Sequence, residues 1–140
     1  MKNNKGFTLV ELLTIIIVLA IIIAIILPKV TKIVEKGKLD SANLSALGYM
    51  EDVEDYYIKN SKSDMNSNFD LDGEYIIENG HLKKDAEDHD INAKKTSPTD
   101  GYLTITRGDV IEGCLTIGDY RIEISNEKIS ETHKGSCQIK

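Results

Sequence analysis

The residues that could do chemistry by type and spacing gather in one acidic stretch of the sequence. Asp85, Asp88 and Asp90, with Glu87 and His89 beside them, are candidate oxygen ligands for a hard cation. Calcium takes six to eight oxygens around a rigid turn, and this spacing does not match an EF-hand loop. A solvated acidic loop is therefore expected, and neither a metal site nor a cofactor is predicted.

The other reactive residues do not form a catalytic pattern. His81, His89 and His133 are scattered, without the His-x-x-x-His pair that zinc sites often use. The tripeptide Arg107-Gly108-Asp109 lies between two predicted strands and has the composition of a tight turn. Because no nucleophile is paired with a base, no enzyme activity is predicted.

The two cysteines, Cys114 and Cys137, both lie near the end of the chain. In an oxidising compartment they could form a disulfide. The closed loop of about 24 residues would add roughly 3–3.5 kcal/mol of stability by the chain-entropy estimate. In a reducing compartment they would be two thiols in a small core.

Length and charge limit the protein's class. The 140 residues allow one domain and a membrane segment, and the formal net charge is −6. Residues 29–140 hold 15 basic and 22 acidic residues. Non-specific nucleic-acid binding needs a basic surface, so nucleic acid is an unlikely partner on charge alone.

The element that dominates the sequence is the apolar stretch 7–27, whose single charged residue is Glu11. A helix of about 20 apolar residues crosses a bilayer. An ionisable residue inside a membrane usually has a partner, yet no Lys, Arg or His lies between Lys5 and Lys29. Alternatively, Glu11 lies near the lipid headgroups and stays hydrated.

The flanks of this stretch differ from those of a secretory signal peptide. Such a peptide has its small-residue cleavage site after the apolar core. Here the small residue, Gly6, precedes the core, and Pro28 and Lys29 follow it.

The run Lys5-Gly6-Phe7-Thr8-Leu9-Val10-Glu11-Leu12-Leu13 resembles the processing site of type IV prepilins and the related pseudopilins. The resemblance covers residues 5–28. It implies that a prepilin peptidase cleaves between Gly6 and Phe7 and N-methylates the new amino terminus at Phe7.

The resemblance also assigns roles inside the helix. Glu11 matches the family's glutamate, and Pro28 matches its helix-interrupting proline. Ala20 stands where many relatives carry glycine, so local melting of the helix in a filament would depend more on Pro28. The new ammonium at Phe7 could pair with Glu11 of a neighbouring subunit, which would make Glu11 the residue that sets the register of subunit addition.

A long helix is expected from about Thr8 to Lys59, some 75 Å at about 1.5 Å per residue. Pro28 should kink it. One side of the helix after Pro28 could be formed by the apolar or small residues Ile33, Val34, Gly37, Leu44 and Leu47. The residues that recur near a 3.6-residue period, and so predict an amphipathic second half, are Leu39, Ala42, Ala46, Met50, Val53 and Tyr57.

Charge is uneven along this second half. The beginning of this half is basic, with Lys29, Lys32, Lys36 and Lys38. Its end is acidic, with Glu51, Asp52, Glu54 and Asp55. The simple interpretation is a solvated face. In the alternative, a neighbour displaced by ~30 Å along a filament pairs the two ends, since ~20 helical residues cover that distance.

The rest of the chain predicts an α+β fold, in which the long helix lies on a small antiparallel sheet. Residues 60–73 and 85–100 are expected to be loops, the first anchored by Phe69 and Leu71. The expected strands are 74–77, 81–83, 102–106, 110–117, 120–125 and 128–130.

The predicted domain organisation has four parts. Residues 1–6 form a leader that is removed, and residues 7–28 form the transmembrane and filament-core helix. Residues 29–59 continue that helix as an amphipathic segment, and residues 60–140 form an extracytoplasmic head with a C-terminal Cys loop. Positive-inside counting would place the head in the cytoplasm. The far more specific prepilin motif implies the reverse, and with it an oxidised Cys114–Cys137 pair.

The resemblance therefore implies a type IV pilin, a structural subunit of an extracellular pilus used in adhesion, twitching motility or biofilm formation. Its implied partners are prepilin peptidase, other pilin subunits, membrane lipid before assembly, and the inner-membrane platform protein and assembly ATPase. The alternatives are a pseudopilin of a type II secretion or competence system, and an unprocessed single-pass surface protein that displays a binding domain.

Overall fold

The computed structural model describes residues 6–63, 69–94 and 97–138, which fall into two compact units, the first ending at Lys38 and the second beginning at Leu39. Helix α1, Leu9–Ser63, runs through both units. The strands are β1 Gly73–Glu78, β2 His81–Lys84, β3 Glu87–Asp90, β4 Asp100–Thr106, β5 Asp109–Ile117, β6 Tyr120–Ser125 and β7 Lys128–Lys134.

The first unit is an apolar helical segment that no other part of the described chain covers. Its large apolar side chains between Leu9 and Leu27 are 45–81% exposed. It contains the one described helix that is long and apolar enough to cross a membrane. Pro28 lies inside the helix, where its carbonyl accepts a hydrogen bond from Thr31 Oγ1 at 3.1 Å. The kink expected at Pro28 stays a prediction.

The second unit places the helix from Leu39 onward against an antiparallel sheet in the order β3-β2-β1-β4-β5-β6-β7. Ala42, Ala46, Tyr49 and Val53 supply the buried stripe of the helix. Alternate residues of the strands meet this stripe, as the period of two requires. The α+β expectation is therefore confirmed, with seven strands in the sheet.

The helix also buries Gly48, Tyr49 and Asp52, which its predicted stripe omitted. Tyr49 is 1% exposed, and its hydroxyl donates to the carbonyl oxygen of Gly80 at 2.9 Å. Among the described residues, the other predicted apolar side stays open to solvent, since Ile33, Val34 and Leu44 are at least half exposed.

Two boundaries of the helix and its loop differ from expectation. The helix ends at Ser63 rather than Lys59, and the side chains of Asn60 and Ser61, the expected stop, donate hydrogen bonds to the helical carbonyls of Tyr56 and Ile58. Leu71 is buried and Phe69 half-buried, as predicted. Residues 64–68 of this loop lie outside the described part of the chain.

The prediction of an uninterrupted loop over 85–100 was wrong, because Glu87–Asp90 forms strand β3 at the edge of the sheet. Its charged side chains disfavour a strand by composition, but an edge strand can leave them in water. His89 faces a cluster of rings, with Tyr56, Phe69 and Tyr75 each centred about 6 Å from it. Strand β7 also extends further than predicted, to Lys134.

Candidate functional site

The residues of the predicted cleavage site lie just before helix α1. Gly6, Phe7 and Thr8 are non-helical and exposed, and the helix begins at Leu9. The Gly6–Phe7 peptide bond is therefore in irregular backbone, outside the hydrogen-bonded helix. A peptidase could thus reach this bond without unwinding the helix.

Thr8 and Glu11 form a reciprocal cap on the first turn of α1. Thr8 donates to Glu11 Oε2 from both its backbone N–H and its Oγ1, each at 2.9 Å. In return, the Glu11 N–H donates to Thr8 Oγ1 at 3.3 Å. This is the geometry of a capping box, which satisfies backbone donors that a helix start leaves open.

Thr8 is the functional residue that sequence reasoning missed. The signal was present, because Thr-x-x-Glu directly before an apolar run marks a capped helix start. Glu11 thus has a partner inside its own chain, which neither the predicted ammonium pair nor the hydrated alternative included. An incoming ammonium would compete with Thr8 for that carboxylate.

The three metal candidates are not brought together. Asp88 Oδ1 lies 2.9 Å from His81 Nδ1 across strands β2 and β3. Asp90 Oδ1 accepts the Asn92 N–H at 2.9 Å, and Asp85 lies in the turn between the strands. No group of three or more His, Cys, Asp or Glu side chains among residues 6–63, 69–94 and 97–138 is arranged to hold a metal ion.

The Arg107-Gly108-Asp109 tripeptide forms the tight turn between β4 and β5, as expected. Arg107 and Gly108 both have positive φ, at 56° and 86°. The Arg107 N–H donates to Asp72 Oδ1. A side chain at position 108 would collide with the ring of Tyr57, so the turn lies directly against the helix.

The acidic end of the helix is divided between the interior and the surface of the second unit. Asp52 is 5% exposed, so it belongs to neither a solvated face nor a filament contact. Its Oδ2 accepts the Lys94 N–H at 2.9 Å, and the Lys94 ammonium lies 3.2 Å from Asp52 Oδ1 and 2.8 Å from Asp55 Oδ2. The Lys94 hydrogen bond also lowers the pKa of Asp55. Of that acidic group, Glu51 and Glu54 are exposed, whereas Asp52 is buried and Asp55 is half-buried.

Cys114 and Cys137 form a disulfide, with their Cα atoms 5.9 Å apart. The Cys137 N–H donates to Thr116 Oγ1 at 2.9 Å, next to the bridge on strand β5. Both cysteines are buried. The bridge therefore fixes the C-terminal segment against β5, on the sheet face opposite Leu115.

Comparison with known families finds a match at the N-terminus. Residues 1–27 match the family described as the prokaryotic N-terminal methylation motif. No curated protein and no solved structure matches the chain. The match contains the non-helical Gly6–Phe7 bond, the capping box and most of the apolar helix. The chain therefore carries, over its first fifth, the cleavage and methylation motif of type IV prepilin-like proteins.

Proposed function

We propose that this chain is the precursor of a type IV pilin, a structural subunit of an extracellular pilus filament. The observation that supports it best is the direct connection of the methylation motif to an apolar helix that nothing in the described chain covers. Burying one such Leu or Ile side chain is worth about 1.5–3 kcal/mol. The helix therefore needs lipid or other helices at all times.

In this proposal lipid covers the helix before assembly, and helices of other subunits cover it afterwards. Lipid tails and Leu side chains are equally apolar, so the hydrophobic effect does not choose between these two states. Close packing and polar pairing must favour the assembled helix. Glu11 is the one charged side chain between Phe7 and Pro28, and so it is the source of polar pairing in this segment.

Glu11 sets the register of assembly in this account. Cleavage between Gly6 and Phe7 creates an ammonium, which the same prepilin peptidase methylates. The ammonium of one subunit pairs with Glu11 of its neighbour, and Thr8 holds the carboxylate until then. A subunit added out of register leaves a charge unpaired in an apolar bundle, which costs about 3–5 kcal/mol.

The domain organisation follows from this role. Residues 1–6 are the leader, 7–28 the transmembrane and filament-core helix, 29–59 its amphipathic continuation and 60–140 the outward-facing head. The subunit is a single-pass membrane protein first and a surface filament component later. A platform protein and an assembly ATPase of the inner membrane supply the work of extraction, and adhesion, twitching motility or biofilm formation is the outcome.

Replacement of Glu11 tests the proposal. We expect Glu11→Ala to be cleaved normally but to reduce the filament yield per processed subunit by about tenfold or more, because its register pair is lost. Sheared filaments and processed subunits would be measured on the same blot. Thr14→Val is the matched control, since it removes a polar group whose hydroxyl only bonds its own helix at Val10.

Filament yield in the Glu11→Ala variant equal to that of the control would end the register hypothesis. Processed wild-type subunit that stays cell-bound, in a short periplasmic or wall-spanning assembly, would instead indicate a pseudopilin. Wild-type chain that is never cleaved would indicate an anchored surface protein.

A further inference from the structure

A stripe of helix α1 in the second unit is exposed and both apolar and acidic. Leu47 is 47% exposed, and Glu51 and Glu54 follow it at spacings of four and three residues. Such residues lie above one another on one helical face. Lys94 forms ion pairs with Asp52 and Asp55, and so Glu51 and Glu54 of this stripe remain available for an outside contact.

Two turns complete a groove beside the stripe. Asp109 lies directly after the β4–β5 turn, as the first residue of β5, and Glu127 lies in the β6–β7 turn. Met50 and Val110 form its apolar floor, and the open space is about 260 Å³. We call this site the acidic groove, defined by Leu47, Met50, Glu51, Glu54, Asp109 and Glu127.

The walls of the acidic groove are held in place by backbone contacts. Gly108, next to Asp109, lies directly against the ring of Tyr57 on helix α1. The Glu127 N–H donates to the carbonyl oxygen of Ile111 at 3.3 Å. The fold therefore sets the backbone positions from which Asp109 and Glu127 line the groove.

The four carboxylates of the groove are not neutralised within the described residues. None of the ion pairs found there involves Glu51, Glu54, Asp109 or Glu127. Residues 39–140 contain 11 basic and 21 acidic residues, a net charge of −10. A concave surface lined by one sign of charge concentrates the field and favours a cationic partner.

We propose that the acidic groove receives the segment 29–38 of a second copy of this chain. That segment has four lysines and one glutamate, a net charge of +3. Lys29, Lys32 and Lys36 share one helical face with Ile33, which is 70% exposed. The lysines then meet the carboxylates while Ile33 covers the apolar floor. This inference rests on the proposed filament and names one of its contacts.

Lysines directly after a membrane span have another available partner, the phosphate headgroups of the lipid. Loss of assembly after the lysines are replaced by glutamates would be expected whether they contact the acidic groove or the lipid headgroups. If reversing the charges of the groove as well restores assembly, the lysines must pair with the groove. Mutations in the head do not change the lipid phosphates, so they could not restore a contact with lipid. The test therefore depends on rescue.

The experiment compares three full-length variants for filament yield per processed subunit. Lys32→Glu with Lys36→Glu should lower the yield about tenfold or more, since like charges then face each other. Glu51→Lys with Glu54→Lys should lower it similarly. All four changes together should restore the yield to within about threefold of wild type, because the opposite charges are re-formed with exchanged signs.

The matched control joins the lysine reversals to Glu74→Lys with Asp119→Lys, two exposed acids outside the groove that add the same charge. We expect no rescue from this pair. Rescue by the control equal to that by the groove pair, or no rescue by the groove pair, would overturn the inference. In either case, the presence of the wild-type chain in filaments would still support the proposed function. Its absence from filaments would contradict the proposed function itself.

Cysteine cross-linking gives a readout that does not depend on assembly yield. Chains with Ile33→Cys and chains with Leu47→Cys would be co-expressed and their filaments oxidised mildly. A disulfide forms only when the two Cα atoms come within about 7 Å. Mixed dimers above the level of either chain alone support the groove contact, and their absence from intact filaments contradicts it.

Discussion

At the residue scale, the main question is how the apolar helix accommodates the carboxylate of Glu11. Glu11 would be costly in a bilayer without a partner, by roughly 2.5–3.5 kcal/mol at the centre of a span. Thr8 provides two hydrogen bonds to it from the same chain. In the proposed precursor, these bonds would offset part of that cost before any neighbour or new amino terminus is available.

Thr8 should determine the order of the first helical turn. Thr8→Val keeps the side-chain volume but removes the hydroxyl, and the loss of an N-cap costs about 0.5–2 kcal/mol. We expect amide exchange at Glu11 to speed up about fivefold or more in the micelle-bound chain. Thr8→Ser, which keeps the hydroxyl, should behave as wild type. Equal exchange rates in the Val and Ser variants would show that the hydroxyl does not cap the helix.

Tyr49 should make the stability of the head depend on alkaline pH. Burial, with smaller contributions from Asp90 and Asp52, raises the pKa of its phenol above the ordinary value of 10.0. Above pH 10 the unfolded chain ionises this phenol before the folded chain does, so the free energy of unfolding falls as pH rises.

In Tyr49→Phe, the free energy of unfolding should decrease less steeply as the pH rises. Urea unfolding of the detergent-solubilised chain between pH 8 and about 11 would measure this. At pH 7 the same change leaves the Gly80 carbonyl without its donor and should lower the free energy of unfolding by about 1–3 kcal/mol. Tyr102→Phe, at a side chain 43% exposed, is the control and should cost less than about 0.5 kcal/mol at pH 7. A steep alkaline fall that survives in Tyr49→Phe would contradict this role.

At the scale of elements, alternation and periodicity predicted most of the second unit. Strands β4 and β6 alternate between buried and more exposed residues, and β5 is buried on both faces over residues 113–117; all three lie close to their predicted bounds. Strand β3 could not be found this way, because its sequence is charged and it forms through pairing with β2 and contacts of His89 with three rings. Such contacts join distant parts of the chain and leave no local pattern.

The disulfide should be the main link between the C-terminal segment and the sheet. Its cysteines are 23 positions apart, so replacing both by Ser should lower the free energy of unfolding by about 3 kcal/mol. Urea unfolding of the wild-type chain with and without a thiol reductant should give the same difference. A change under about 1 kcal/mol in both measurements would mean that the bridge adds little to the head.

At the scale of the whole molecule, the sequence carried the functional motif but not the surface that the head presents. The Gly6–Phe7 site, the Glu11 position and the apolar run are local, so they could be read from adjacent residues. Which acids are exposed depends on Lys94, about 40 residues from the helix it contacts. The acidic groove also needs two turns from the far end of the chain, and no pattern along the sequence predicts that meeting.

Processing and polymerisation are tested together by the mass of the N-terminal peptide from sheared filaments. We expect the filaments to contain this chain, with Phe7 as its first residue and a methyl group on the amine. Chain that still begins at Met1, in cells that produce filaments lacking it, would show that this protein is not a processed filament subunit.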